Sequence, residues 1–98
     1  MTLAEATEKV QSLSETHAGK FGAKANFSFD EGLIHLDDSV SPAVVSNTEE
    51  IADCTFRTSM GTFEKLVNGD LNPMMAFMSG KLKIDGDKGI AMKLASIF

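Results

Sequence analysis

Ninety-eight residues, 43% hydrophobic and 23% charged with a formal net charge of −5, have the make-up of an ordinary globular protein rather than a disordered or fibrous one. One domain over residues 1–98 is expected, burying roughly 65% of the surface its unfolded chain would expose and leaving room for one ligand site, not two. The acidic balance excludes a surface built for nucleic acid, no apolar run reaches the ~18 residues of a stable membrane insertion, and a lone Cys54 excludes an internal disulfide or multi-cysteine zinc site.

Thr2-Leu3-Ala4-Glu5 reads as a capping box, and Leu3, Ala6, Val10, Leu13 and His17 follow at three-and-four spacing, predicting a helix over most of residues 3–17. Gly19 and Gly22 end it. Ala25, Phe27 and Phe29 then alternate with Asn26 and Ser28, Asp30-Glu31-Gly32 turns the chain, and Ile34 and Leu36 alternate with His35 and Asp37. That pattern is an antiparallel hairpin. Residues 43–46 after Pro42 predict a third strand, and Cys54 and Phe56 mark a fourth, as the continuation of a meander.

Ser59 caps a predicted helix carrying Phe63, Leu66 and Val67, which Gly69 closes. Asn72 at the cap and Pro73 at the first helical position open another, ended by Gly80. Its residues Met74, Met75, Ala76, Phe77 and Met78 are apolar all round, which predicts burial on several sides or a wall of a cavity. Leu82 and Ile84 predict a fifth short strand, and Ile90, Leu94 and Ile97 with Ala91, Ala95 and Phe98 a last helix that must dock. The order indicates an α+β fold, a mostly antiparallel sheet covered on one side by helices.

Four of the five internal methionines lie in residues 72–94, and flexible, polarizable thioethers suit a soft apolar cavity. A stripe of Met and Phe at helical spacing equally describes solid core. Lys81, Lys83, Lys88 and Lys93 outnumber Asp85 and Asp87 in the last eighteen residues; this cationic face suits an anionic headgroup or phosphate, or is simply solvated. The N-terminus, with Glu5 and Glu8, lacks the basic flank and apolar stretch of an export signal, so a cytoplasmic location is expected.

Catalytic constellations are missing. His35 and Asp37 share a strand face expected to point at solvent, no Gly-x-Ser-x-Gly turn supplies a nucleophile, and Cys54 among phenylalanines reads as a small buried hydrophobe. Asp85-Gly86-Asp87-Lys88-Gly89 lacks the further carboxylates of a calcium loop, with Ser96 where the bidentate glutamate belongs, so capping aspartates in a turn are expected. No dinucleotide or phosphate-loop fingerprint is present, and neither a metal nor a cofactor is implied.

Ala-Asp-Cys-Thr-Phe at 52–56, the Phe63 helix ending at Asn68-Gly69-Asp70, Leu71-Asn72-Pro73, Phe77-Met78-Ser79-Gly80-Lys81-Leu82-Lys83-Ile84 and Gly89-Ile90-Ala91-Met92-Lys93-Leu94 closely resemble the sterol carrier protein 2, or non-specific lipid-transfer protein, domain. The resemblance covers a little under half the chain closely; residues 1–51 agree in element order and hairpin. It implies a five-stranded, mostly antiparallel sheet covered on one face by helices and enclosing an apolar tunnel for fatty acids, fatty acyl-CoA, sterols or phospholipids.

By that resemblance the lipid-binding tunnel is lined from Phe56, Phe63, Leu66, Leu71, Met74, Met75, Phe77, Met78, Leu82, Ile84, Ile90, Met92 and Leu94. The implied function is non-catalytic binding and carriage of lipid or acyl-CoA. The alternative is a docking or accessory module that presents lipid-like substrates to a partner enzyme, with a second copy of the chain as another candidate partner. The ending Ser96-Ile97-Phe98 is not the peroxisomal tripeptide of many eukaryotic members, and with no extension after the last helix the tunnel mouth is expected to be open or closed by a second chain.

Overall fold

Local hydrogen bonds place every helix start where the sequence supplies a cap. The computed structural model describes residues 1–17 and 19–96. Helix α1 (Leu3–Thr16) opens on a complete capping box: Thr2 Oγ1 accepts the Glu5 N–H at 3.1 Å, and Glu5 Oε1 accepts the Thr2 N–H at 2.9 Å. Helix α2 (Met60–Val67) starts at Ser59, whose Oγ accepts the Thr62 N–H. Asn72 Oδ1 accepts the Met74 N–H at 2.8 Å to start α3 (Pro73–Met78). Asp87 Oδ1 accepts the Ile90 N–H at 3.0 Å to start α4 (Lys88–Ala95), the capping role expected of that turn. The predicted contributions of Ile97 and Phe98 to the last helix lie outside the described residues.

Strands β1 (Lys24–Phe29), β2 (Gly32–Asp37), β3 (Val44–Ser46), β4 (Cys54–Thr58) and β5 (Leu82–Gly86) form one sheet in the order β3-β2-β1-β4-β5. The meander stops at β3. Instead of extending it, β4 crosses to the other side of β1 and pairs with it in parallel, Phe27 opposite Phe56, while the remaining strand pairs are antiparallel among the described residues. Alternation in β4 matches the apolar face of either neighbour, so the pattern alone does not choose between them. The connection does. Asp53 N–H donates to Lys24 O, Asp53 Oδ2 accepts the Lys24 N–H, and Asn26 Nδ2 donates to Glu50 O, which holds residues 50–53 against β1 and delivers β4 beside it.

The same connection corrects the expectation for His35. Its outward-facing ring is only 3% exposed, with Glu50 beside it, Oε2 3.9 Å from His35 Nε2. The amide of Asn26 donates to Glu50 O, so its Oδ1 turns to His35 Nδ1 at 2.7 Å, and Nδ1 therefore carries the proton. At the far end of β5, Gly86 has φ +90°, and a Cβ there would stand 2.5 Å from Asp53 O. Only glycine allows this close approach.

The opposite sheet face is the apolar one. Ala25, Phe27, Ile34, Leu36, Cys54, Phe56, Leu82 and Ile84 project from it and are buried. α1 lies over β2 and β3, α4 over β4 and β5, and α3 against β5, so the sheet is covered on one side by helices. At the centre Phe27 stacks on Phe56 with ring centroids 5.4 Å apart, and Phe63 of α2 meets Phe27 and Phe29 edge-on at 5.9 and 5.1 Å. Each such ring, fully buried, contributes roughly 1.5–3 kcal/mol of transfer free energy.

Candidate functional site

Three attached elements converge on the phenylalanine cluster. Phe27, Phe56, Thr58 and Leu82 form a floor on the sheet, Phe63 and Leu66 a wall on α2, and Pro73 and Ala95 the facing edge on α3 and α4. The apolar space between them is about 10 Å³, enough for about one water. Pro73 and Ala95 also border an open groove of about 340 Å³, completed by Asn72, Met74, Met92 and Ser96. The interior cleft and the groove thus share a wall made of two helix ends.

A second narrow space of about 10 Å³ lies between α1 and α4, lined by Val10, Leu13, Phe21, Leu36 and Leu94. Its polar end is already satisfied: the buried Asp38 carboxylate accepts the N–H groups of Gly19, Phe21 and Gly22 at 3.2, 3.0 and 2.8 Å. It holds the turn after α1 in place of a ligand.

Titratable groups near the floor are arranged for structure. Burial raises the Cys54 thiol from its ordinary 9.0 to about 11, and the carboxylates of Asp53 and Asp87 push the same way. The thiol therefore stays protonated. On the outer face Arg57 donates to Asp85 at 2.7 Å, and among the described residues no three His, Cys, Asp or Glu side chains are grouped to hold a metal.

The model of the SCP-2 sterol transfer family matches residues 4–98. The chain belongs to this family. Human sterol carrier protein 2 is 44% identical over 55 residues, 56% of this chain and 10% of that protein, so the chain spans about a tenth of the length of the mammalian sterol carrier protein 2 relatives it matches. The solution structure of the sterol carrier protein domain 2 of Helicoverpa armigera has a TM-score of 0.74 at 28% identity, over 96% of this chain and 80% of that one. Palmitated SCP2L2 from Aedes aegypti, at 17% identity, shares the fold with a TM-score of 0.71 over 99% of this chain and 94% of that one. No helix among the described residues is long and apolar enough to cross a membrane.

Within this SCP-2 fold the residues singled out from the sequence separate by depth. Phe56, Phe63, Leu66 and Leu82 surround the interior cleft. Met74 and Met92 line the outer groove. Ile84 and Leu94 are buried elsewhere in the core, and Leu71, Phe77 and Ile90 are half-buried against it. Met75 and Met78 are exposed. Burial of the methionine helix on several sides is not what the fold gives: α3 has six residues, and only Ala76 among them is fully buried. The turn that follows pins it, with Lys81 N–H donating to Ala76 O at 2.9 Å.

Phe27, Thr58, Pro73 and Ala95 complete the cleft and were not singled out from the sequence. Phe27 had a usable signal in the β1 alternation. It needed the parallel pairing with β4 to come opposite Phe56.

Proposed function

We propose that residues 1–98 form one lipid-binding unit that carries fatty acids, fatty acyl-CoA, sterols or phospholipids without catalysing their conversion. The observation that supports it most directly is an almost wholly apolar cleft, ringed by Phe27, Phe56, Phe63, Leu66 and Leu82, that meets an open groove across Pro73 and Ala95. Membership of the SCP-2 family and the palmitated mosquito relative with the same fold point the same way.

Such a cleft does not hold a chain at its present volume, so loading requires α3 and α4 to part from the sheet. Helices of six and eight residues have little stability of their own and depend on packing. A tail that replaces their contacts offsets the cost of moving them: about ten methylenes buried at ~0.8 kcal/mol each supply up to ~8 kcal/mol before that cost. Apolar walls select by fit and length rather than by headgroup, hence the breadth of lipids proposed. Non-catalysis fits the protonated Cys54 thiol and the covered His35, and a reducing cytoplasmic setting fits a free buried cysteine.

The chain has neither Trp nor Tyr, so the test is titration of delipidated protein with an environment-sensitive fluorescent fatty acid, followed by competition with fatty acid, acyl-CoA and sterol. Saturation near one equivalent with displacement by at least one competitor is expected. A folded sample with no saturable uptake overturns the carrier reading.

A further inference from the structure

Burial of His35 leaves half of its ring chemistry unused. Its Nδ1–H is committed to Asn26 Oδ1 at 2.7 Å, and Asn26 is oriented by its own bond to Glu50 O. Nε2 is then a lone-pair acceptor. Opposite it, at 3.9 Å, stands Glu50 Oε2, which as a carboxylate oxygen also only accepts. Two acceptors cannot bond, so the gap is what a neutral ring dictates; one proton added to Nε2 turns the same pair into a charge-assisted donor and acceptor. The histidine side chain is 4% exposed and the glutamate 59%, so Glu50 is the partner with room to move. Beside them Ser46, paired with His35 in the β2–β3 register, keeps a buried Oγ that has no hydrogen-bond partner among the described residues. A carboxylate drawn inward gives that hydroxyl an acceptor as well.

We propose that His35 and Glu50 form a proton-operated latch, closed by acidification through the range in which imidazoles charge and opened as pH rises. Because the proton favours the closed state, the stability it adds is present at the acid end and lost toward the basic end. The other charged groups of this face do not substitute for Glu50. Asp37, on the same face of β2, accepts the Ser39 N–H at 3.0 Å and has Lys24 opposite it; Asp85, beyond β1 and β4, is paired with Arg57 at 2.7 Å. Asn26 and Ser46, on either side of His35, carry no charge. The latch reaches farther than its own pair. Three residues after Glu50, Asp53 O accepts the Asp87 N–H at 2.9 Å, and Asp87 caps α4. Loading of the cleft requires α4 to part from the sheet, so a closed latch slows uptake; this use rests on the lipid-carrying reading, whereas the latch itself does not.

The test is amide exchange by NMR, corrected for intrinsic rates, at about pH 8 and about pH 5.5, either side of the imidazole range, with the His35 ring nitrogens read in the same samples. At the higher pH Nδ1 is expected to carry the proton and Nε2 none; at the lower pH both carry one. The Asp53 and Asp87 amides should then gain about two- to fivefold in protection, the worth of a half-exposed ion pair. Glu50→Gln places an amide donor against the neutral Nε2, so it should show the acid-form protection at both pH values. Glu50→Ala should show it at neither. Protection that stays level or falls when wild type is acidified, a proton on Nε2 at the higher pH, or the same response in all three proteins overturns the latch. These measurements use no lipid, so a failure of probe uptake removes carriage and leaves the latch standing. A latch that closes while uptake has the same pH dependence in wild type and Glu50→Gln overturns its control of loading alone.

Discussion

Cys54 illustrates how one side chain's chemistry is set by position. On the core face of β4 it is 1% exposed, and burial together with the Asp53 and Asp87 carboxylates raises its thiol to about 11. Because the folded value lies above the ordinary 9.0, the thiol's contribution to stability is complete below about pH 9 and is lost as pH rises through about 11. Ellman's reagent should therefore react with native protein at pH 8 at least about a hundredfold more slowly than with protein unfolded in guanidinium; comparable rates would show that the strand opens readily. The sequence reading of Cys54 as a small hydrophobe needed only its alternation with Thr55 and Arg57. His35 did not yield to the same logic, since its neighbour Glu50 comes from a segment with no regular pattern.

At the scale of elements, helix starts were legible because a cap is a bond between residues two or three apart. Thr2, Ser59, Asn72 and Asp87 all accept such bonds. The capping box of α1 also predicts a pH response. Hydrogen bonds from the Thr2 N–H, and then from the Thr2 side chain, lower the Glu5 carboxyl from its ordinary 4.5. The folded value lies below the unfolded one, so the stabilisation of α1 is present above about pH 4.5 and disappears as pH falls through the lowered value. Amide exchange in the first turn of α1, corrected for intrinsic rates, should lose protection between pH 6 and pH 3, and Glu5→Gln should remove most of that dependence. Protection that falls equally in both proteins would assign the change to global acid unfolding instead. The methionine helix α3 shows the limit of this scale: its all-apolar composition sets no depth, and docking through Ala76 leaves three methionines outside.

Over the whole molecule, the proposed lipid carriage predicts a link between binding and stability. A ligand that fills the cleft binds the folded state and not the unfolded chain, so at about a hundred times its Kd it adds about 2.7 kcal/mol. For a chain of this size that corresponds to a rise in Tm of roughly 10 °C or more. Differential scanning calorimetry with saturating fatty acid measures it. A protein that binds the probe with no change in Tm would place the probe on the surface rather than in the core.

The sequence by itself determined the helices, the five strands, the single apolar sheet face and, through the motif from Ala52 to Leu94, the family. Four of the thirteen residues named through the family resemblance, Phe56, Phe63, Leu66 and Leu82, border the interior cleft. These depend on alternation, capping and a long specific run, all of them written over short distances along the chain. Tertiary structure alone decided that β4 lies parallel to β1, that Phe27 and Pro73 meet the same space, and that Met75 and Met78 remain outside. Those outcomes depend on which segments far apart in sequence exclude water from one another, and the same apolar residue serves as core, cleft wall or exposed patch according to what is folded against it.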